Sequence, residues 1–331
     1  MKDLTIGLVY DLRSEYLAEG YSEAQVAEFD SDVTIDALEE TIRSLGYRVV
    51  RIGSARRLCE RLVTGERWDL VFTIAEGLNG RCREAQVPAI LELYGIPYTF
   101  SDPLVCSVTL DKGMTKRLVR QAGLNTPNFH VVSAPADLAR VDLRFPLFVK
   151  PIAEGTGKGI DNRSRIESRE ELDRLCTELL ARHEQPVLVE EYLPGREFTT
   201  GILGTADKAR VLGTMEVEIL HQEANAIYSY ETKELCEARV RYSPLRDAAL
   251  QREVEKLALE SYVALECRDA GRVDIRLDAE GRPSFMEVNP LAGLHPSHSD
   301  LPMIATQEGM KYEELIGSII QSALERYGSK R

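Results

Sequence analysis

The chain has 331 residues, 44% of them hydrophobic, which is enough to bury substantial cores in two or three domains. A formal net charge of -13, with Asp and Glu spread along the sequence, excludes broad binding to nucleic acid or anionic membrane and leaves room only for local basic sites. Six scattered cysteines without a CxxC pair exclude a zinc site or disulfide framework, and no stretch approaches the ~18 uncharged apolar residues of a membrane span, so a cytoplasmic protein is expected.

In chain order, LTIGLVY at 4–10 reads as a buried first strand, 30–45 as an amphipathic helix stopped by Gly46, and 47–52 and 69–74 as further strands of a parallel sheet. REAQVPAILELYGIPYTFSDP adds a helix, a stop at Gly95 and a short strand, and the turn at Ser101, Asp102 and Pro103 marks a boundary. An α+β unit follows: a helix over 111–122, strands over 128–132 and 146–150, a glycine-rich loop over 154–159, a helix over 168–183 and a strand over 187–192. Beyond Pro194 and Gly195 come strands over 196–204 and 209–220, a polar, Tyr-rich loop over 221–244, a helix over 246–266, a hairpin over 270–278 and 284–289, and a closing helix over 303–326.

Three segments carry chemistry. In the hairpin GRVDIRLDAEGRPSFMEVNP, period-2 alternation places Val273, Ile275, Leu277, Met286 and Val288 on one face and Arg272, Asp274, Glu287 and Asn289 on the other. With a turn at 279–282, Asp274 stands across from Glu287 and Arg272 across from Asn289. Facing carboxylates repel unless a cation separates them, and two carboxylates with an amide suit a hard ion; a solvated outer face of an edge hairpin has the same pattern. In FPLFVKPIAEGTGKGI, Lys150 ends an apolar strand and Gly155, Gly157 and Gly159 let backbone N–H groups approach a phosphate, although neither the Walker nor the GxGxxG spacing is met and an ordinary flexible turn reads alike. In VLVEEYLPGREF, the strand runs into Glu190, Glu191, Tyr192 and Leu193, which can present backbone groups to an adenine edge, with Glu197 near ribose hydroxyls; an inter-domain hinge is the plainer reading.

These segments, in this order and spacing, resemble the D-alanine–D-alanine ligase family of the ATP-grasp superfamily over roughly residues 69 to 325. The resemblance implies α/β and α+β domains in a three-domain architecture: an N-terminal parallel α/β domain over 1–102, a central domain over 103–192, and a C-terminal domain over 193–331 with the metal site and a closing loop. It implies an ATP-dependent ligase that activates a carboxylate as an acyl phosphate and joins it to an amine. Lys112 and Lys150 would hold phosphates under the loop Glu154, Gly155, Thr156 and Gly157, with Glu190 to Leu193 on adenine and Glu197 on ribose. Asp274, Glu287 and Asn289 would bind magnesium or manganese, two ions being expected. Arg272 and the Gly293 N–H would stabilise the oxyanion, Ser299 would hold an acceptor carboxylate, and Lys233 in YSYETKE would close over the phosphates.

Small amino-acid or amine substrates and a homodimer are implied as well. The chain departs from the family pattern at its amino-acid end. No glycine-rich turn with a serine and acidic cluster follows the first strand, which leaves Glu28, Asp30 and Asp32 as candidates for the donor amino group. Ala75, Glu76 and Gly77 stand where the family has a His-Gly pair, Glu234 replaces a tyrosine, and the loop from Gly293 to Ser299 is one residue longer. Two alternatives follow: a ligase joining a different amino acid to a small-metabolite amine, or a non-catalytic nucleotide-binding regulator. The retained Arg272 argues against the second, because binding alone needs no oxyanion group.

Overall fold

The computed structural model describes residues 4–219 and 240–328. Strands β1 (Thr5–Val9), β2 (Arg48–Gly53) and β3 (Leu70–Thr73) form a parallel sheet in the order β2-β1-β3, the central strand buried and correspondingly apolar from Ile6 to Val9. Gly7 is required at its centre, since a Cβ there would meet Ile52 at 2.5 Å and Trp68 at 3.0 Å. After the short α1 (Arg13–Ala18), α2 (Asp32–Ser44) begins at Ser31, whose hydroxyl accepts the Thr34 N–H, and buries Ile35, Leu38 and Ile42 on the sheet. Helices α3 (Ala55–Val63) and α4 (Gln86–Leu93) pack around Trp68 on the other side. The short strand expected after Gly95 is a single parallel bridge between Val71 and Tyr98.

Helices α5 (Pro103–Leu110) and α6 (Lys112–Gln121) lead to an antiparallel sheet of β4 (Phe129–Val132), β5 (Leu147–Pro151), β6 (Arg165–Ile166) and β7 (Val187–Glu191), ordered β4-β7-β5-β6 and backed by α7 (Arg169–His183). The third sheet contains β8 (Glu197–Leu203), β9 (Arg210–Ile219), β10 (Val240–Pro244), β11 (Ala270–Leu277) and β12 (Pro283–Asn289), ordered β10-β9-β8-β11-β12. Helix α8 (Ala248–Ala264) covers one face of it through Val254, Ala258 and Tyr262. Among the described residues no helix is long and apolar enough to cross a membrane, and Cys59, Cys82, Cys106, Cys176 and Cys267 are all free thiols.

Three sequence expectations need correction. The closing helix is two helices, α9 (Asp300–Gln307) and α10 (Tyr312–Gly328), because Gly309 at φ +77° terminates the first and Met310 N–H caps back onto the Ala305 carbonyl. Helix α10 then packs Leu315, Ile319 and Ile320 into the same core as α2 and β1. The segment read as loop to 244 ends in β10, which pairs with β9 from Val240 to Pro244. Met286 does not join the apolar face of the hairpin: a register shift after Asp274 pairs Ile275 with Phe285, so Phe285 is fully buried and Met286 is turned to the opposite side. The same bulge absorbs a turn one residue shorter than 279–282 and leaves Asp274 opposite Glu287, and Arg272 opposite Asn289.

Candidate active site

Asp111 caps α6 by accepting the Met114 N–H, which fixes Lys112 as the first helical residue. Lys112 Nζ donates to the Glu154 carbonyl at 2.7 Å and lies 3.5 Å from Glu287. Lys150 on β5 sits 3.0 Å from one oxygen of Glu190, and Lys116 of α6 sits 2.8 Å from the other. Burial opposes charge on Glu190, yet the two ammonium groups outweigh it and hold the carboxyl below its usual range. Lys116 is fully buried, and desolvation pulls it down to about 8 despite Glu190. Sequence reasoning missed Lys116; its one signal is a position four residues after Lys112, on the same helix face.

Glu191 accepts the Asn128 side-chain N–H at 3.0 Å, and half-buried Leu193 continues the chain. The ring of Tyr192 stacks on Phe148 at 6.5 Å, with the Arg165 and Arg276 guanidinium carbons 4.8 and 5.3 Å from its centroid. Arg276, also unforeseen, pairs with Glu197 at 3.4 Å. In the glycine-rich loop Gly157 and Gly159 both adopt φ +75°, and Thr156 is held at φ +48°, unusual for a β-branched residue. The Thr156 hydroxyl is buried without a hydrogen-bond partner, as a donor awaiting an acceptor such as a phosphate oxygen would be. Glu154 pairs with Lys158 at 2.9 Å, and Gly155 N–H donates to Glu28 Oε1 at 2.6 Å.

On the hairpin, Asp274 accepts two hydrogen bonds from Arg272, both at 2.9 Å, one from the Thr199 hydroxyl at 2.8 Å and one from the Asn289 amide at 3.2 Å. The remaining Arg272 nitrogen reaches Asp300 at 2.8 Å. Burial works against this guanidinium, but Asp274 and Asp300 raise its pKa well above the ordinary arginine value. Among the described residues no group of three or more His, Cys, Asp or Glu is placed to hold a metal; the set here is two carboxylates and an amide, a donor chemistry that fits a hard ion completed by other oxygens. A Cβ on Gly293 would lie 2.7 Å from Ser299 Oγ, so glycine lets the loop close onto that hydroxyl, which accepts the His295 N–H at 3.0 Å. Lys233 lies outside the described residues.

A cavity of about 240 Å³ joins these parts, from Lys112 and Glu287 through Arg272 to Gly293 and Ser299. A smaller one of about 70 Å³ lies between Lys150, Glu197, Asp274 and Glu287. Glu28 lines the larger cavity, Asp30 a small one adjoining it, and Asp32 starts α2 with its carboxylate on the Ser14 hydroxyl. Arg83 pairs with Glu28 at 2.7 Å and donates to the Ala153 carbonyl at 2.8 Å, and Glu76 and Glu84 line the same end. Arg83, Glu84 and Asp300 were not foreseen, because nothing local in the sequence marks a long-range partner.

Two antiparallel sheets around a glycine-rich loop, buried lysines and a two-carboxylate hairpin form the architecture of an ATP-grasp enzyme. The comparisons agree. The family model for the D-ala D-ala ligase C-terminus matches residues 118–321. The D-alanine–D-alanine ligase of Bordetella petrii is 38% identical over 272 residues, 81% of this chain and 79% of that one, and the Aquifex aeolicus enzyme is 34% identical over 288 residues, 86% and 92%. The crystal structure of the D-alanine–D-alanine ligase from Bacillus anthracis complexed with ATP superposes with a TM-score of 0.75 over 100% of both chains at 23% identity, a likeness of fold. The chain belongs to the D-alanine–D-alanine ligase family and has its three-domain ATP-grasp fold, as an ATP-dependent ligase that forms C–N bonds.

Proposed function

We propose that the protein activates the carboxylate of one amino acid as an acyl phosphate and joins it to the amine of a second small molecule. The observation that carries this reading is the single cavity bordered by Lys112, Glu287, Arg272 and Ser299, which brings phosphate-holding, cation-holding, oxyanion and acceptor groups within reach of one bound molecule. Lys112 and Lys150 neutralise phosphate oxygens, Thr156 supplies its buried hydroxyl, and the Tyr192 and Glu197 wall receives the nucleoside. Asp274, Glu287 and Asn289 hold magnesium, or manganese in its place, as two ions. When bound, that metal neutralises charge on the transferring phosphoryl group.

The remaining steps belong to this chain's own side chains. Glu28 receives the donor ammonium, chosen over Asp30 and Asp32 because it alone faces the larger cavity and the loop N–H of Gly155. Arg272 and the Gly293 N–H stabilise the oxyanion formed on amine attack, and Ser299 orients the acceptor. The enzyme works in the cytoplasm as a homodimer.

The test is amino-acid-dependent phosphate release from ATP with magnesium, across D- and L-amino acids, with mass spectrometry of the products. Release with D-alanine and a D-alanyl-D-alanine product would make it a dipeptide ligase like its named relatives. Activity only with another acid and amine would keep the chemistry and reassign the pocket. Silence across the panel would sink the reading.

A further inference from the structure

Among the described residues the larger cavity holds more carboxyl groups than its cations match. Four of its carboxylates have a partner: Glu28 with Arg83 at 2.7 Å, Glu154 with Lys158 at 2.9 Å, Glu287 with Lys112 at 3.5 Å and Asp300 with Arg272 at 2.8 Å. Glu76 and Glu84 line the same cavity and neither accepts a hydrogen bond from, nor pairs with, any described side chain. Glu84 is only 9% exposed, so its carboxylate is withdrawn from water and open to the cavity alone. A buried carboxylate without a partner is costly: burial first, then the charges of Glu84 and Glu28, push Glu76 well above its ordinary range, and burial pushes Glu84 up to about 7 against the pull of Arg83. A ligand that brings a cation to this end removes both penalties.

One ammonium is already accounted for by Glu28. We propose that the donor is a short diamino acid, its α-ammonium on Glu28 and its side-chain ammonium between Glu76 and Glu84. This deepens the ligase reading and rests on it for the placement of the α-ammonium. The second cation lies on the donor and not the acceptor because Glu76 and Glu84 both feel the charges of Glu28 and Arg83, whereas Ser299 lies on the acceptor side. A donor with a neutral side chain leaves the Glu76 and Glu84 pair facing apolar surface.

The experiment supplies hydroxylamine as acceptor with ATP and magnesium, so that hydroxamate formation reports the donor alone. Alanine, 2,3-diaminopropionate and 2,4-diaminobutyrate are compared in both stereochemical forms, with calorimetric binding of each to the enzyme. A charge-assisted pair of this kind predicts kcat/KM about 30-fold higher for a diamino acid than for alanine of the same hand, and Glu84→Gln should bring that ratio close to one. Alanine turned over as well as either diamino acid overturns the proposal and leaves the ligase reading standing. If no donor yields hydroxamate, the ligase reading fails, and binding decides the subsite separately: tighter binding of the diamino acids keeps it, and equal affinity removes it.

Discussion

The two cavities of the proposed active site handle charge in opposite ways. Around the smaller one, proposed for the nucleotide, the buried groups are matched within the protein: Glu190 lies between Lys150 and Lys116, Glu154 beside Lys158, and Glu197 beside Arg276. In the larger one, proposed for the amino acids, Arg83 is committed to Glu28, and Glu76 and Glu84 have no side-chain partner among the described residues. A matched end holds one geometry whatever arrives, whereas an unmatched end is completed by its ligand, so on the proposed function the first carries the chemistry and the second the choice of substrate.

The largest expected effect breaks the matched end. Glu287→Gln should lower phosphoryl transfer by about 10³-fold, because it removes a cation ligand without changing core volume, and should leave circular dichroism and cooperative unfolding intact. Undiminished turnover would dismiss that hairpin as the metal site. Next, Arg272→Ala should slow ligation by about 10²- to 10³-fold in single-turnover assays. The same variant should lose about 3–5 kcal/mol in denaturant unfolding, since Asp274 and Asp300 would keep their charges with no counter-ion. A loss of nucleotide affinity alone would remove its oxyanion role.

The unmatched end should show in the pH dependence of stability. The folded-state pKa of Glu84 is raised from 4.5 to about 7, so the native protein holds a proton that the unfolded chain releases. Its contribution is full below pH 4.5 and lost as pH rises through 7, a decline on the order of 3 kcal/mol. Glu84→Gln, permanently neutral, should flatten that window in urea titrations; an unchanged slope would mean that Arg83 and Lys112 hold it ionised against burial and the charge of Glu28. The smallest effect is expected from Ser299→Ala, a rise of about tenfold in acceptor KM at constant kcat. No change would point to an acceptor without a carboxylate at that position.

Alternation made the shared face of Arg272, Asp274, Glu287 and Asn289 legible, whereas the pairing of Asp274 with Glu287 and Arg272 with Asn289 holds because two departures cancel: the turn is one residue shorter than 279–282 and the bulge restores the register. Met286 was misplaced because a bulge breaks that alternation and leaves no compositional mark. The closing helix looked continuous because Gly309 interrupts an apolar periodicity that resumes at Tyr312. The charge pairs were harder to see: Lys116 meets Glu190 and Arg272 meets Asp300 only after separate elements pack, and local pattern carries no information about partners that far apart. Glu28 could not be chosen over Asp30 or Asp32 for the same reason, since what distinguishes it is contact with Arg83 and Gly155.

Arg83 grips both sides of a seam, its guanidinium on Glu28 and on the Ala153 carbonyl at the root of the glycine-rich loop, while Glu28 itself accepts the Gly155 N–H. Anyone grafting the amino-terminal third of a relative onto this chain would therefore transplant half of a clasp. Such a hybrid needs Glu28 and Arg83 to travel together, and matched at the graft to residues 153–155, before its substrate preference can be read at all.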